Sequence, residues 1–243
     1  FGTMLGSYKA GKSNYNALQL RAEKQFSRSV SLLTGYTWSH CLDTDSSSAF
    51  ATDNQDIRNL QGDYGSCGFD ARQRVNAAFS WAVPAPANWH GFAGAVAKGW
   101  QLNTIGQFQS GSPLTPALRG DPVRVGGFYR PRFNRVCNGN LPSDQRSITR
   151  YFDTNCFVDP GAGVFGNSGR NVIVGPPLHT VDLSVFKTTR LTEGVSLQFR
   201  GEIFNALNES NYNQPTSSKG FSFGKILSEG DAREIQFGLK VLF

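Results

Sequence analysis

Seven stretches of this chain alternate apolar and polar residues with period two, each over about ten positions or slightly more. Strict alternation puts successive side chains on opposite faces of an extended strand, whereas a helix repeats every ~3.6 residues. Over 15–26, Leu18, Leu20, Ala22 and Phe26 share one parity, and Gln19, Arg21, Glu23 and Gln25 the other. From Val30 the apolar parity reads Val30, Leu32, Thr34, Tyr36 and Trp38, against Ser31, Gly35, Thr37 and Ser39. From Arg72 it reads Val75, Ala77, Phe79, Trp81 and Val83, against Arg72, Arg74, Asn76, Ala78 and Ser80. Trp100, Leu102, Thr104 and Phe108 oppose Gln101, Asn103, Gln107 and Gln109. Val181, Leu183 and Val185 oppose Thr180, Asp182 and Ser184; Val195, Leu197, Phe199 and Ile203 oppose Ser196, Gln198, Arg200 and Glu202. The last stretch sets Ile235, Phe237, Leu239, Val241 and Phe243 against Glu234, Gln236, Gly238 and Lys240.

The length of these strands separates two classes of β protein. Soluble sheets use strands of ~5–6 residues, while a tilted strand needs ~9–11 to cross a bilayer. The polar parity is built of Gln, Asn, Ser, Gly and mixed Arg/Glu or Arg/Asp, which suits a wet lumen. The apolar parity carries Trp38 and Tyr36 at the end of the second strand, Trp81 at the end of the third and Trp100 at the start of the fourth. Aromatic residues at both margins of an apolar band form the interfacial girdle of outer-membrane barrels. A soluble barrel with its apolar face inward is the competing reading.

Composition narrows the class further. Charged residues are 17% and aromatics 12% of the chain, with 19 Phe and 27 Gly. A helical bundle needs more Glu, Lys, Leu and Ala, and a disordered chain has fewer aromatics. No window approaches the ~18 apolar residues of a transmembrane helix. The sequence therefore predicts an all-β, antiparallel transmembrane β-barrel segment.

The connections alternate in length. Those at 27–29 and 188–194 are short and the one at 84–99 is intermediate, whereas 41–71, 111–179 and 207–232 are long. Barrels of this kind keep short turns on the periplasmic side and long loops outside the cell, so the long loops are expected to be extracellular. Seven is an odd count, and bacterial single-chain barrels have even ones. Unpaired edges in lipid are prohibitively unfavourable, so residues 1–243 read as the C-terminal part of a larger barrel. The start at Phe1, with Met4 as the only methionine and no visible leader, is read in the same way.

The four cysteines, Cys41, Cys67, Cys137 and Cys156, fall two per long loop at spacings that suit no zinc template. Three connectivities are possible. Local pairing, Cys41 with Cys67 and Cys137 with Cys156, is the expected one and implies an oxidising compartment; reduced thiols are the alternative.

No catalytic constellation is visible, so no enzyme, cofactor or metal is expected. His40, His90 and His179 sit at a strand end, a turn and a strand start, without metal partners at useful spacing. Asp43 and Asp45 with Ser46, Ser47 and Ser48 resemble a calcium loop faintly, but the distal Glu is missing and a polar turn is the expected outcome. Gly163, Gly166 and Gly169 lack the strand-to-helix context of a phosphate cradle. Asn208, Glu209 and Ser210 match a glycosylation sequon, which carries no weight in a bacterial barrel.

Two sets of charges remain. Arg21, Glu23, Arg72, Arg74, Asp182, Arg200 and Glu202 share the polar parity and are expected to face the lumen. There they either contact a plug or guide a solute, or they pair with one another. The net charge is +6, and basic residues concentrate in Arg119, Arg124, Arg130, Arg132, Arg135, Arg146 and Arg150, interleaved with Phe128, Tyr129 and Phe133. Such interleaving resembles a single-strand nucleic-acid surface; a solvated basic loop, with no nucleic-acid partner, is the expected reading.

The stretch Ser13-Asn14-Tyr15-Asn16-Ala17-Leu18-Gln19-Leu20, followed by Gly35-Tyr36-Thr37-Trp38-Ser39, resembles the C-terminal barrel of TonB-dependent receptors, and in particular the Oar-like group. Gly99-Trp100-Gln101-Leu102, Gly111-Ser112-Pro113-Leu114, Phe165-Gly166-Asn167-Ser168-Gly169-Arg170, Glu202-Ile203-Phe204-Asn205-Ala206-Leu207-Asn208 and the terminal Phe243 fit the same pattern. The resemblance implies a 22-stranded barrel in the bacterial outer membrane. Its N-terminal plug, absent here, would contact the TonB complex, and the whole would import a scarce solute with transmitted energy. The solute, whether siderophore, saccharide, peptide or cobalamin, is not legible. Ile235, Phe237, Leu239, Val241 and Phe243 resemble the C-terminal signal read by the barrel-assembly machinery. Lipid and lipopolysaccharide are the surrounding partners. An adhesion or surface-interaction barrel is the alternative function, and a soluble β-sandwich binding module a further one.

Overall fold

The computed structural model describes residues 10–27, 29–47, 53–126 and 129–243. Phe1, Met4, Ser48 and Phe128, named above, lie outside the described residues. Seven long strands dominate: β1 (Ser13–Ser27), β2 (Val30–Asp43), β3 (Gln73–Ala82), β4 (Trp100–Gln109), β5 (Leu178–Arg190), β6 (Ser196–Phe204) and β7 (Glu234–Leu242). They pair in chain order as one antiparallel meander, β1-β2-β3-β4-β5-β6-β7, and a two-residue strand, Gly65–Ser66, adds to the end of β2. No helix among the described residues is long and apolar enough to cross a membrane, which leaves crossing by strands open.

Each period-two stretch became a strand, but several ends moved. β5 runs through Thr188 and Thr189, expected in a turn, because these residues stay paired with Gln198 and Leu197. Cys41, expected in a loop, lies inside β2. It is held there because Tyr15 pairs with Cys41 and Ser13 with Asp43, so the β1–β2 ladder continues beyond the apolar band.

Cross-strand register shows which residues share a face. One row reads Arg21, Gly35, Asn76, Gln107 and Thr180; the neighbouring row reads Leu20, Tyr36, Val75, Phe108 and His179. Arg21, Glu23, Arg74, Asp182, Arg200 and Glu202 all fall on the first face, and Arg72 continues its parity one residue before β3. Along the middle of the strands the apolar face is exposed among the described residues. Leu20 is 56% exposed, Phe237 73% and Leu239 68%, values that the inner face of a soluble sandwich could not show. Trp38 marks one margin of this face. Trp81, paired with Val30 eight positions from Trp38, marks the other, about 26 Å away along the strand at ~3.3 Å per residue.

Connections alternate as expected, with three long loops (44–72, 110–177 and 205–233) at one end, here termed outer, and three shorter ones at the inner end. The packed core is not in the sheet but in the outer loops. Leu114, Leu118, Phe133, Tyr151, Phe152, Cys156, Phe157 and Ile173 form one buried cluster, against which Phe223 and Ile226 of the last loop pack. Phe223 stacks on Phe133 at 5.1 Å and meets Phe152 edge-on at 5.2 Å. Two short ladders, Pro113–Leu114 with Ile173–Val174 and Asn134–Arg135 with Phe157–Val158, frame the cluster. The loops thus form a folded cap with an interior of their own.

Candidate functional site

Two disulfides brace the cap. Cys41 bonds Cys67 with Cα atoms 5.3 Å apart, and Cys137 bonds Cys156 at 4.9 Å. The first ties the outer end of β2 to the loop that follows it, and the second closes residues 137–156 within the longest loop.

Buried ion pairs join the loops to the barrel rim. The side chain of Arg170 is fully buried and pairs with Asp43, the last residue of β2. It also donates through Nη2 to the Asp43 carbonyl at 2.6 Å, through Nε to the Asp63 carbonyl at 3.0 Å and through Nη1 to Ser46 Oγ at 3.0 Å. Asp53 lies 3.8 Å from Arg170 and 2.8 Å from Arg130. Burial pushes the Arg170 pKa down to about 10, far enough above neutral pH that the group stays cationic. Asp43, in the faint calcium pattern, therefore already holds a cation from the protein. Asp45 accepts from the amide and hydroxyl of Ser47, the polar turn expected there.

A second pair, Arg132 with Asp63, is equally buried. Asp63 closes a 3-10 turn, Leu60–Asp63, capped by Asn59, whose side chain accepts from the Gly62 amide at 3.3 Å. Burial pushes the Asp63 carboxyl up and the Arg132 guanidinium down, while their mutual attraction opposes both shifts. Gln55 bridges the loops: its Oε1 accepts from the Arg132 amide and its Nε2 donates to the Gly166 carbonyl, both at 2.8 Å. Gly166 is required there, since a Cβ would sit 2.1 Å from the Arg132 carbonyl oxygen.

These contacts enclose a cleft of about 230 Å³ lined by Gln55, Asp56, Asn59, Gly62, Arg132, Phe165, Gly166, Asn167 and Ser168. Drug-sized ligands occupy roughly 300–1,000 Å³, so this cleft admits one ring-sized polar group at most. Arg132 Nε and Nη1 are buried with no hydrogen-bond partner among the described residues. A wider hollow of about 610 Å³ lies over the polar face of the sheet, beside Gln19, Arg21, Asn76 and Ala78. Leu33 and Ile105, 39% and 60% exposed, add an apolar patch that the alternation did not announce.

The residues expected to face the lumen have varied partners. Arg21 pairs with Glu23 at 2.9 Å; Arg200 bonds Gln198 and covers the Phe186 ring; Glu202 accepts from Gln236 at 2.6 Å; Asp182 accepts from the Asn205 amide at 2.9 Å. Arg72 pairs with Asp70 at 3.2 Å and contacts His40. Most arginines of the basic loop are internal ties: besides Arg130 and Arg132, Arg135 binds the carbonyls of Cys137 and Asn138, Arg146 binds the Leu141 carbonyl and Tyr151, and Arg150 pairs with Asp153. Ile235, Phe237, Leu239 and Val241 line the apolar face of β7, more than half exposed, and Phe243 follows them fully exposed.

Among the described residues no group of three or more His, Cys, Asp or Glu side chains is gathered as a metal site. Nothing local in the sequence marks Gln55 or Asp63 as a buried tie, whereas the stretch Phe165 to Arg170 supplies both a cleft wall and the rim anchor. A family model described as an outer membrane beta barrel domain matches residues 1–236. No curated protein and no solved structure matches the chain.

Proposed function

The chain belongs to the outer membrane beta barrel domain family and resides in the bacterial outer membrane, and from that premise we propose that it is the C-terminal section of the barrel of a TonB-dependent transporter. In this reading residues 1–243 supply seven wall strands and the outer cap, and the TonB complex acts through a plug supplied by another part of the protein. Energy-coupled import of a scarce solute is the activity.

One observation carries the reading. Among the described residues, no strand pairs with the outward edge of β1 or of β7. A row of unpaired backbone amides and carbonyls is not tolerated in hydrocarbon, so further strands must complete the wall. Plugged lumens belong to 22-stranded outer-membrane transporters, and seven strands with two open edges fit as a section of such a wall. The polar face with its broad hollow of about 610 Å³ supports it. The signal-like alternation ending at Phe243 supports recognition by the barrel-assembly machinery.

The test compares the chain alone with the full-length protein in outer membranes. The full-length protein is expected to give a heat-modifiable barrel and to be retained by immobilised TonB periplasmic domain. A closed barrel from residues 1–243 alone would sink the proposal. Full-length protein that ignores TonB but mediates cell-to-cell attachment would favour an adhesion barrel instead.

A further inference from the structure

We propose that the connection between β3 and β4 is an interfacial anchor, which inserts Trp89, Phe92 and Val96 among the phospholipid headgroups of the outer membrane's inner leaflet. This connection, 83–99, carries a short helix, Gly91–Ala97, at the inner end of the sheet. Such a helix could hang beneath the lumen or fold against the lipid-facing side of the wall. Two hydrogen bonds decide between these. Trp100 and Lys187 are cross-strand partners on the apolar face. Trp100 Nε1 donates to the Val96 carbonyl at 2.7 Å, and Lys187 Nζ donates to the Lys98 carbonyl at 2.6 Å. The C-terminal end of the helix is therefore held by side chains that point toward lipid.

From that position the helix presents apolar side chains outward. Phe92 is 86% exposed, Val96, one turn later, 51%, and Trp89 45%. Their arrangement is fixed by Gly94, which is buried and whose Cβ would meet the Trp89 carbonyl oxygen at 2.5 Å. Gly94 thus lets the first turn of the helix pack closely on the Trp89 backbone, and Phe92 and Val96, four residues apart, lie along one side of the helix. In water a seven-residue helix is unstable on its own and the patch would be unfavourable. At the headgroup level the same side chains sit ~5–10 Å deep.

The chemistry around the patch fits phospholipid. Residues 84–99 contain no carboxylate, while Lys98 and His90 flank the helix. Lys187 lies over the Trp100 ring at 5.8 Å, and Lys24, on the apolar face at the inner end of β1, over Phe26 at 5.5 Å. Lysines on an apolar face extend their ammonium groups to the interface, which places cations at the height of lipid phosphates. The segment leaves and re-enters the sheet at the Trp81–Trp100 margin, where the Val83 amide donates to the Trp100 carbonyl at 2.9 Å.

The experiment places a nitroxide label at Phe92→Cys, and separately at Val96→Cys, in the full-length protein reconstituted into phosphatidylethanolamine–phosphatidylglycerol vesicles. A label at Glu193→Cys, in the short β5–β6 turn, is the water-exposed reference. The ratio of oxygen to nickel-chelate accessibility is expected to be several-fold higher at positions 92 and 96 than at 193. Equal ratios at all three positions would overturn the proposal. So would dipolar coupling between labels at 92 on different molecules, because a second copy would then cover the patch.

Discussion

Arg170 donates to the backbone carbonyl of Asp43 at 2.6 Å and ion-pairs with its carboxylate, across 127 positions of sequence. The contact fastens the cap to the rim of β2, so the loops that would meet a ligand are fixed to the wall rather than free above it.

Breaking that pair from one side leaves a buried, uncompensated carboxylate. Arg170→Met is expected to destabilise the cap by about 3–5 kcal/mol, and Arg170→Met with Asp43→Asn by clearly less. Hydrogen exchange should register the loss in loop amides, with strand amides unchanged. Equal protection of the loops in Arg170→Met and the parent protein would contradict this role.

The two disulfides differ in burial. Cys41 and Cys67 are 7% and 0% exposed, whereas Cys137 is exposed and Cys156 buried. In the folded protein a mild reductant should open Cys137–Cys156 first, read by differential alkylation and mass spectrometry. Each bridge closes a loop worth about 3 kcal/mol of stabilisation, so cap proteolysis should quicken at the first step.

Adjacent residues on β7 face opposite solvents. Phe237→Arg, on the lipid side and stacked on Phe199 at 5.9 Å, is expected to lower folding stability by about 2–4 kcal/mol if it lies near the midplane. Gln236→Arg, beside Glu202 on the polar side, should be nearly neutral. Folding yield into lipid vesicles measures both, and equal loss from the two substitutions would reject the assigned faces.

Acid should loosen the link between the second and third outer loops. A hydrogen bond from Lys219 holds the Asp159 carboxyl below its ordinary value of 3.8. A depressed folded value means that the unfolded state binds the proton more readily. The stabilisation is therefore complete above the ordinary value and is lost as pH falls through the folded one. Carboxyl chemical shifts titrated by NMR should place Asp159 below an unpaired aspartate, and Lys219→Met should restore it.

The alternation made every long strand and both faces legible, because side-chain direction in a strand depends only on parity. Leu33 and Ile105 show its limit, since two apolar residues sit on the polar face where the period gives no warning. Disulfide partners were legible from their placement in the chain, although Cys41 proved to be a strand residue. The basic loop misled in part: Arg119, Arg124 and Arg150 are exposed as a solvated surface requires, yet Arg132 is 2% exposed. Nothing local distinguishes an arginine that meets water from one that meets Asp63.

The lipid-crossing wall, its polar and apolar faces and the end at which the long loops gather can all be read from alternation and spacing along the chain. Those follow from local geometry, in which each residue's environment is set by its neighbours in the strand. Folding in three dimensions is what encloses a core around Phe152 and Ile173 within the loops, buries Arg170 and Arg132 against Asp43 and Asp63, and ties the Val96 and Lys98 carbonyls to Trp100 and Lys187. These are contacts between residues tens to more than a hundred positions apart or between separate elements. They are selected by desolvation and packing in three dimensions, which leave no periodic trace along the chain.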